Sequence, residues 1–293
     1  MISAGLQGDV GMSRIRGVAK LTVVGIALTS TLAAAQSRKQ YRFNVGPRAA
    51  VAVANQYGPI SVKPGPANQV SVSAFFRSDK VEVEQSQTGN RITLASHLVP
   101  GATAEAGRVD YEVIVPSDAS VVLHSNDGIL HAEGLRGDVI LEGTNPTVDV
   151  RDISDAHVHA RTLSGPVTLT NIRGGHVEIT SVSGDVTLQA VTGPQVQVNS
   201  TSGRIRYDGD FGSYGEYYLA SHSGDIEASA PSDASIDVTA RSVRGKVEND
   251  FPLQPKHTPF VVKAGSAFAG TMNKAASSVK LFSFSGKIHL KKR

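Results

Sequence analysis

Cysteine and tryptophan are absent from the chain, and aromatic residues make up only 5% of it. Without cysteine there is no disulfide, no thiolate metal site and no cysteine nucleophile. With so few rings there is little to platform a sugar. Helical apolar spacing is missing, and beyond the first 35 residues no apolar run approaches the roughly 20 residues that cross a bilayer as a helix, so no transmembrane segment is expected. A large charge surplus is missing as well. The 29 Lys and Arg exceed the 26 Asp and Glu by only three.

Much of that surplus sits at the N-terminus, where Arg14, Arg16 and Lys20 precede "LTVVGIALTSTLAAA" and its small-residue ending Ala33-Ala34-Ala35. A basic start, a short apolar run and a small-residue ending predict a secretory signal peptide over residues 1–35, with the mature chain starting near Gln36 and Met12 able to serve as the start. Removing it takes three of the 29 basic residues and Asp9 of the 26 acids, leaving 26 against 25. The mature chain is near neutral, and no basic stripe with interleaved aromatics remains, so nucleic acid is not an expected partner.

What the sequence has is a repeat. The stretch "SVSGDVTL" from Ser181 recurs as "TLSGPVTL" from Thr162, "STSGRIRY" from Ser200, "SHSGDIEA" from Ser221, "SVRGKVEN" from Ser242 and "FSFSGKIHL" from Phe282. Its glycines, Gly165, Gly184, Gly203, Gly224 and Gly245, step by 19, 19, 21 and 21 residues, and Gly286 follows. Half-repeats such as "RGGHVEI" and "TGPQVQV" lie between, so a unit is about 20 residues with two strands and two turns. Each strand alternates apolar and polar, as in Val186-x-Leu188 and Val196-x-Val198, which gives one buried and one solvated face. Strands this short bury their apolar face only by stacking, about 4.8 Å apart. The expected fold is all-β: a β-solenoid, β-helix-like, of about 20-residue coils. The same spacing also suits a β-sandwich.

Residues 36–115, with longer strands and hairpin turns such as Thr88-Gly89-Asn90, read as an antiparallel β cap, and 116–293 as the repeat region, one continuous domain over about 41–293. "NQYGPISV" at Asn55 already carries the Gly-x-Ile-x-Val pattern. Pro252 to Ser277 breaks the period and reads as a surface excursion. "LFSFSGKIHLKKR" reads as a last strand whose charges block growth at an open edge.

The run "RVDYEVIVPSDASVVLHSNDGILHAEGLRGDVIL", the "SVSGDVTL" units and the ending "LFSFSGKIHLKK" resemble the putative-adhesin family of exported bacterial proteins, over most of residues 41–293. The resemblance implies a β-helical fold at the cell envelope and an adhesive role, and supplies no catalytic residue. Asn145-Pro146 and Ser154-Asp155 depart from the pattern by replacing glycine turns.

Four residue groups invite a chemical reading. Ser-Gly-Asp suggests a nucleophile, but Ser164, Ser183, Ser202, Ser223 and Ser285 recur in register with their glycines while no histidine keeps pace. Recurrence makes these structural turns, with serine hydroxyls bonding backbone and glycine supplying a positive φ. Paired acids on one face would suit polysaccharide cleavage. A ladder of Thr168, Thr187, Arg206, Glu227 and Glu248 would make Glu227 and Glu248 neighbours, with Asp185 and Asp225 at equivalent turns flanking Arg204. "DAHVHA" and "GGHVEI", 19 residues apart, should set His157 over His176 and His159 over Glu178, a metal candidate on a face that is otherwise ordinary solvated surface. Tyr214, Tyr217 and Tyr218 lie where the coil lengthens, either as a binding surface or as a plug.

Three readings follow: a non-catalytic binding or scaffold protein contacting a glycan or envelope protein, a carbohydrate-active enzyme, or a periplasmic sensor or assembly partner. The first is preferred. No cofactor is expected, and the location would be periplasm, cell surface or extracellular space.

Overall fold

Alternation of period two runs through nearly every segment, and in the computed structural model every regular element among the described residues, 37–256 and 265–293, is a strand. The expected signal peptide, its expected cleavage point and Met12 lie outside the described residues, as do 257–264 of the excursion. In chain order the strands are β1 (Ser37–Asn44), β2 (Ala50–Tyr57), β3 (Ile60–Gly65), β4 (Gln69–Phe76), β5 (Val81–Thr88), β6 (Arg91–Leu98), β7 (Val109–Pro116), β8 (Ser120–Glu133) and β9 (Val139–Arg151). There follow β10 (Val158–Thr162), β11 (Val167–Arg173), β12 (His176–Ser181), β13 (Val186–Thr192), β14 (Gln195–Ser200), β15 (Ile205–Asp208), β16 (Glu216–Ser221), β17 (Ile226–Ala230), β18 (Ile236–Ser242) and β19 (Val247–Asn249). The last are β20 (Gln254–Pro255), β21 (Ala267–Met272), β22 (Ser277–Ser283) and β23 (Ile288–Lys292).

Hydrogen bonding orders them into two ladders that share the long strands β8 and β9. The first runs β5-β6-β2-β8-β9-β10-β12-β14-β16-β22-β18-β21-β20. The second runs β1-β4-β7-β3-β8-β9-β11-β13-β15-β17-β23-β19. From β8 through β17 every pairing is parallel, and Val139, Val158, Val177 and Val196 sit opposite one another in 19-residue steps. The inward rows make the core. Val51, Val121, Val139, Val158, Val177, Val196, Tyr217, Val279 and Val238 form one buried column, and Ile60, Leu130, Val148, Val167, Val186, Ile205, Ile226 and Ile288 another.

The N-terminal region differs from the antiparallel cap expected. β1-β4, β4-β7 and β5-β6 are antiparallel, but β2 and β3 pair in parallel with β6, β7 and β8. The reason is the "NQYGPISV" corner: Asn55 lies opposite Ser125 and Ile60 opposite Leu130, so this segment already follows the repeat and bends from one ladder to the other.

The C-terminal end departs further. β22 does not follow β18 at an edge; it lies between β16 and β18, and β23 lies between β17 and β19. Tyr217 therefore faces Val279, 62 residues on, and Val279 faces Val238, 41 residues back. The net step is 21, the spacing that the glycines of this part of the chain already show. The tail is an inserted layer, and the layer beyond it is made by β18 and β19. The Pro252–Ser277 excursion is not all loop either: β21 pairs antiparallel with β18, and β20 with β21.

Corner glycines carry no left-handed backbone; Gly165, Gly184, Gly203, Gly224, Gly245 and Gly286 are all absent from the positive-φ residues. Their need is for space. A Cβ on Gly203 would stand 2.1 Å from the Gly184 carbonyl oxygen of the adjacent layer. Beside them runs a buried polar column that the sequence reading missed: Asn55, Ser125, Thr162, Ser181, Ser200, Ser221, Ser283 and Ser242. Thr162 and Ser181 donate to the Gly165 and Gly184 carbonyls at 3.0 and 2.9 Å, while the Gly224 and Gly286 N–H groups donate to Ser221 and Ser283 at 2.8 Å. Apart from Ser200, whose buried Oγ has no hydrogen-bond partner, these hydroxyls satisfy the backbone where the chain leaves the ladder at the corners.

Candidate functional site

The outer face of the first ladder carries polar rows in strict register. One row is Ile140, His159, Glu178, Gln197, Tyr218, Lys280 and Thr239; the row beside it includes Asp138, His157, His176, Gln195 and Glu216. The histidine register expected from sequence is met. The His157 and His176 rings touch edge to face at 4.7 Å, and His159 Nδ1 lies 3.5 Å from Glu178 Oε2. With Gln195 and Gln197 they line a shallow depression of about 220 Å³. Among the described residues no group of three or more His, Asp or Glu is arranged to hold a metal ion. The four side chains occupy two separate pairs, so the arrangement favours hydrogen bonding to a polar ligand over a closed coordination shell.

On the second ladder Thr168, Thr187, Arg206 and Glu227 stack as expected, but the next residue is His289, and Glu248 follows it. Glu227 and Glu248 are not neighbours. Each acid is matched with cations: Glu227 with Arg206 at 3.7 Å and Lys291 at 3.3 Å, Glu248 with Lys287 at 2.7 Å. The Lys287 hydrogen bond holds the Glu248 carboxyl below the usual carboxylate range, the opposite of what a general acid requires. Asp185 and Asp225 flank Arg204 as expected and act as brackets. Their carboxylates accept the Arg204 and Lys287 N–H groups of the adjacent layer at 2.9 and 2.8 Å.

The corner serines make the same kind of bracket. Ser164, Ser183, Ser202, Ser223 and Ser285 are exposed, and their hydroxyls reach the carbonyls of Thr144, Leu163, Val182, Thr201 and His222 in the layer before. Next to them Leu163, Val182 and Val243 stand exposed, and on the same ridge the His222 and Phe284 rings stack at 4.9 Å with Arg244 over the phenyl face.

Of the three tyrosines, Tyr217 is 1% exposed and belongs to the core, which removes it from a binding surface. Its alternation with Leu219 was the available signal. Tyr217 packs with Tyr207 and Phe211, which stack on each other at 4.4 Å, and burial pushes the Tyr217 phenol up to about 12. Ala228 stands opposite Tyr207 in the next layer, making room for the larger ring. Tyr214 is 87% exposed and Tyr218 39%.

A charge network went unnoticed in the sequence. His131 has Glu133 Oε2 3.1 Å from Nε2 and Asp149 Oδ2 3.0 Å from Nδ1; Lys63 lies 3.0 Å from Glu133, and Arg151 2.9 Å from Asp149. Lys63 and His131 hold the Glu133 carboxyl below its ordinary range. The signal was His131-x-Glu133 followed 18 residues later by Asp149-x-Arg151.

A family model described as Toastrack DUF4097 matches residues 50–291. No curated protein matches the chain. Among solved structures, a putative adhesin from Bacteroides fragilis NCTC 9343 is 11% identical, covering 88% of this chain and 97% of its own, with a TM-score of 0.41. A putative cell adhesion protein from Clostridium sporogenes ATCC 15579 is 11% identical over 88% of this chain and 100% of its own, with a TM-score of 0.29.

Proposed function

Because the chain belongs to the Toastrack DUF4097 family, we propose that it is an exported, non-catalytic β-solenoid of about 20-residue coils, an adhesin-like binding or scaffold protein of the bacterial envelope. The N-terminal segment supports export, and the sequence resemblance supports the envelope. The observation that carries the binding reading is the outer face of the first ladder, where His159, Glu178, Gln197 and Tyr218 stand in one row on consecutive layers. Neighbouring layers are about 4.8 Å apart, so an extended polar ligand such as a glycan chain meets a donor, an acceptor and an aromatic face in turn. Each contact is weak, and affinity comes from their number.

An array of glycans and envelope proteins, probed with the purified protein, tests this. A binder should appear, and Gln197→Ala, Tyr218→Ala and His159→Ala should each weaken it by about 2- to 20-fold, within the usual range for truncating an interface side chain. Breakdown products from an arrayed polysaccharide, lost in Glu227→Gln, would replace this reading with the enzymatic one.

A further inference from the structure

The two ladders end differently at their two ends. Beyond β18 the first ladder is closed by the short antiparallel strands β21 and β20, the latter ending in Pro255, and the second ends in the three-residue β19. Short edges and proline resist further pairing. At the other end stand two eight-residue strands with one partner each among the described residues: β1, paired only with β4, and β5, paired only with β6. These edges share one end of the stack, since the Gln87 amide of β5 donates to the Asn44 carbonyl of β1 at 2.8 Å.

Their charges are opposite. β1, "SRKQYRFN", carries Arg38, Lys39 and Arg42 and no acid; β5, "VEVEQSQT", carries Glu82 and Glu84 and no base. On β1 the inward positions are Tyr41 and Phe43, which leaves Arg38, Gln40 and Arg42 outward; on β5 the inward positions are Val81 and Val83, which leaves Glu82 and Glu84 outward. Arg38 is anchored by Ser73 and lies over the Phe75 ring, and Glu84 lies 3.6 Å from His97.

Their heights are also unequal. Beyond β8 the second ladder has four strands, β3, β7, β4 and β1, and the first has three, β2, β6 and β5. Two copies meeting end to end about a two-fold axis have two ways to pair. Like with like puts four strands against four on one face and three against three on the other, a mismatch of two strand spacings, about 10 Å, and sets arginine against arginine. The crossed arrangement puts four against three on both faces, so both gaps close together, and it sets Arg38 and Arg42 against Glu82 and Glu84 twice over.

We propose that this end is a dimer interface in which β1 of each copy pairs with β5 of the other. The contact is isologous and closes on itself, it consumes both open edges, and opposite charges across the new strand pairs fix the choice. The outer face of one copy's second ladder then continues into the outer face of the partner's first ladder. The inference stands apart from the binding reading above.

Sedimentation velocity on the purified protein tests it. A dimer is expected, and Arg38→Glu with Arg42→Glu, or Glu82→Lys with Glu84→Lys, should weaken it by about tenfold or more, each reversal counting twice by symmetry. All four substitutions in one chain, or an equimolar mixture of the two double variants, should restore the dimer. Reassociation in the mixture also shows that the two double variants fold. A wild-type monomer up to the solubility limit, a dimer indifferent to either double reversal, or failure of the fourfold variant and the mixture to reassociate would overturn the proposal.

Discussion

Gly184→Ala is expected to destabilise the protein by about 4 kcal/mol or more, at the upper end for single substitutions, and to lower Tm by about 10 °C for a domain of this size. The new Cβ would lie 2.0 Å from the Gly165 carbonyl oxygen and 2.6 Å from its carbon, both backbone atoms of the adjacent layer. No rotamer relieves that contact, so the two layers must separate at the corner. Separation strains the bonds that hold them: Ser183 N–H to Leu163 O at 2.9 Å and Val182 N–H to Thr162 O at 3.3 Å. Ser183→Ala is the matched control. It removes one exposed hydroxyl whose hydrogen bond to Leu163 O is 3.3 Å long, and should cost no more than about 1 kcal/mol. Thermal unfolding followed by circular dichroism compares the two. Equal, small effects would mean that the corner has slack and that the glycine is there for another reason.

Truncation after Asn273 should have a larger effect on a defined part of the fold. It removes β22 and β23 and with them the buried Val279, Leu281, Ile288 and Leu290. At about 1.5–3 kcal/mol for each such side chain, the lost burial rivals the whole stability of a typical domain. Because β22 and β23 are the partners of β18 and β19 on the stack side, their removal leaves β18, β19 and β21 with nothing to stack on. In a repeat array each layer depends on its neighbours, so hydrogen exchange in residues 236–249 and 267–272 should become unprotected while β9 to β14 stay protected. Had the tail been the outermost layer, β18 would keep β16 as partner and its amides would stay slow.

Most of the layer geometry was legible because it is local. Alternation decides which residue of Val186-x-Leu188 points inward, and a 19-residue step aligns Val158 with Val177 whatever the turns do, so the contact of His157 with His176 followed from spacing alone. The order of layers was not legible, because it is not local. "FSFSGKIHL" has the same grammar as its relatives, and nothing within it distinguishes a place beyond β18 from a place before it. The choice shows only in cross-layer packing, where Val279 fits between Tyr217 and Val238. That choice undid the acid pair, since it sets His289 between Glu227 and Glu248. The glycine corners were found for an inexact reason: from sequence a turn glycine and a close-approach glycine look alike, and only the adjacent layer tells them apart. The N-terminal strands misled because hairpin turns and a solenoid corner use the same residues, Asn and Gly.

The inserted tail sets the order of layers at the C-terminal end, and the absence of cysteine makes it directly measurable. Glu227→Cys combined with His289→Cys places thiols on adjacent strands, about 5 Å apart and within disulfide reach. Glu227→Cys combined with Glu248→Cys places them two strands apart, about 10 Å, which is out of reach. After mild oxidation, non-reducing peptide mapping should find a disulfide in the first pair and free thiols in the second. A disulfide in the second pair with free thiols in the first would put the tail at the edge and contradict the account.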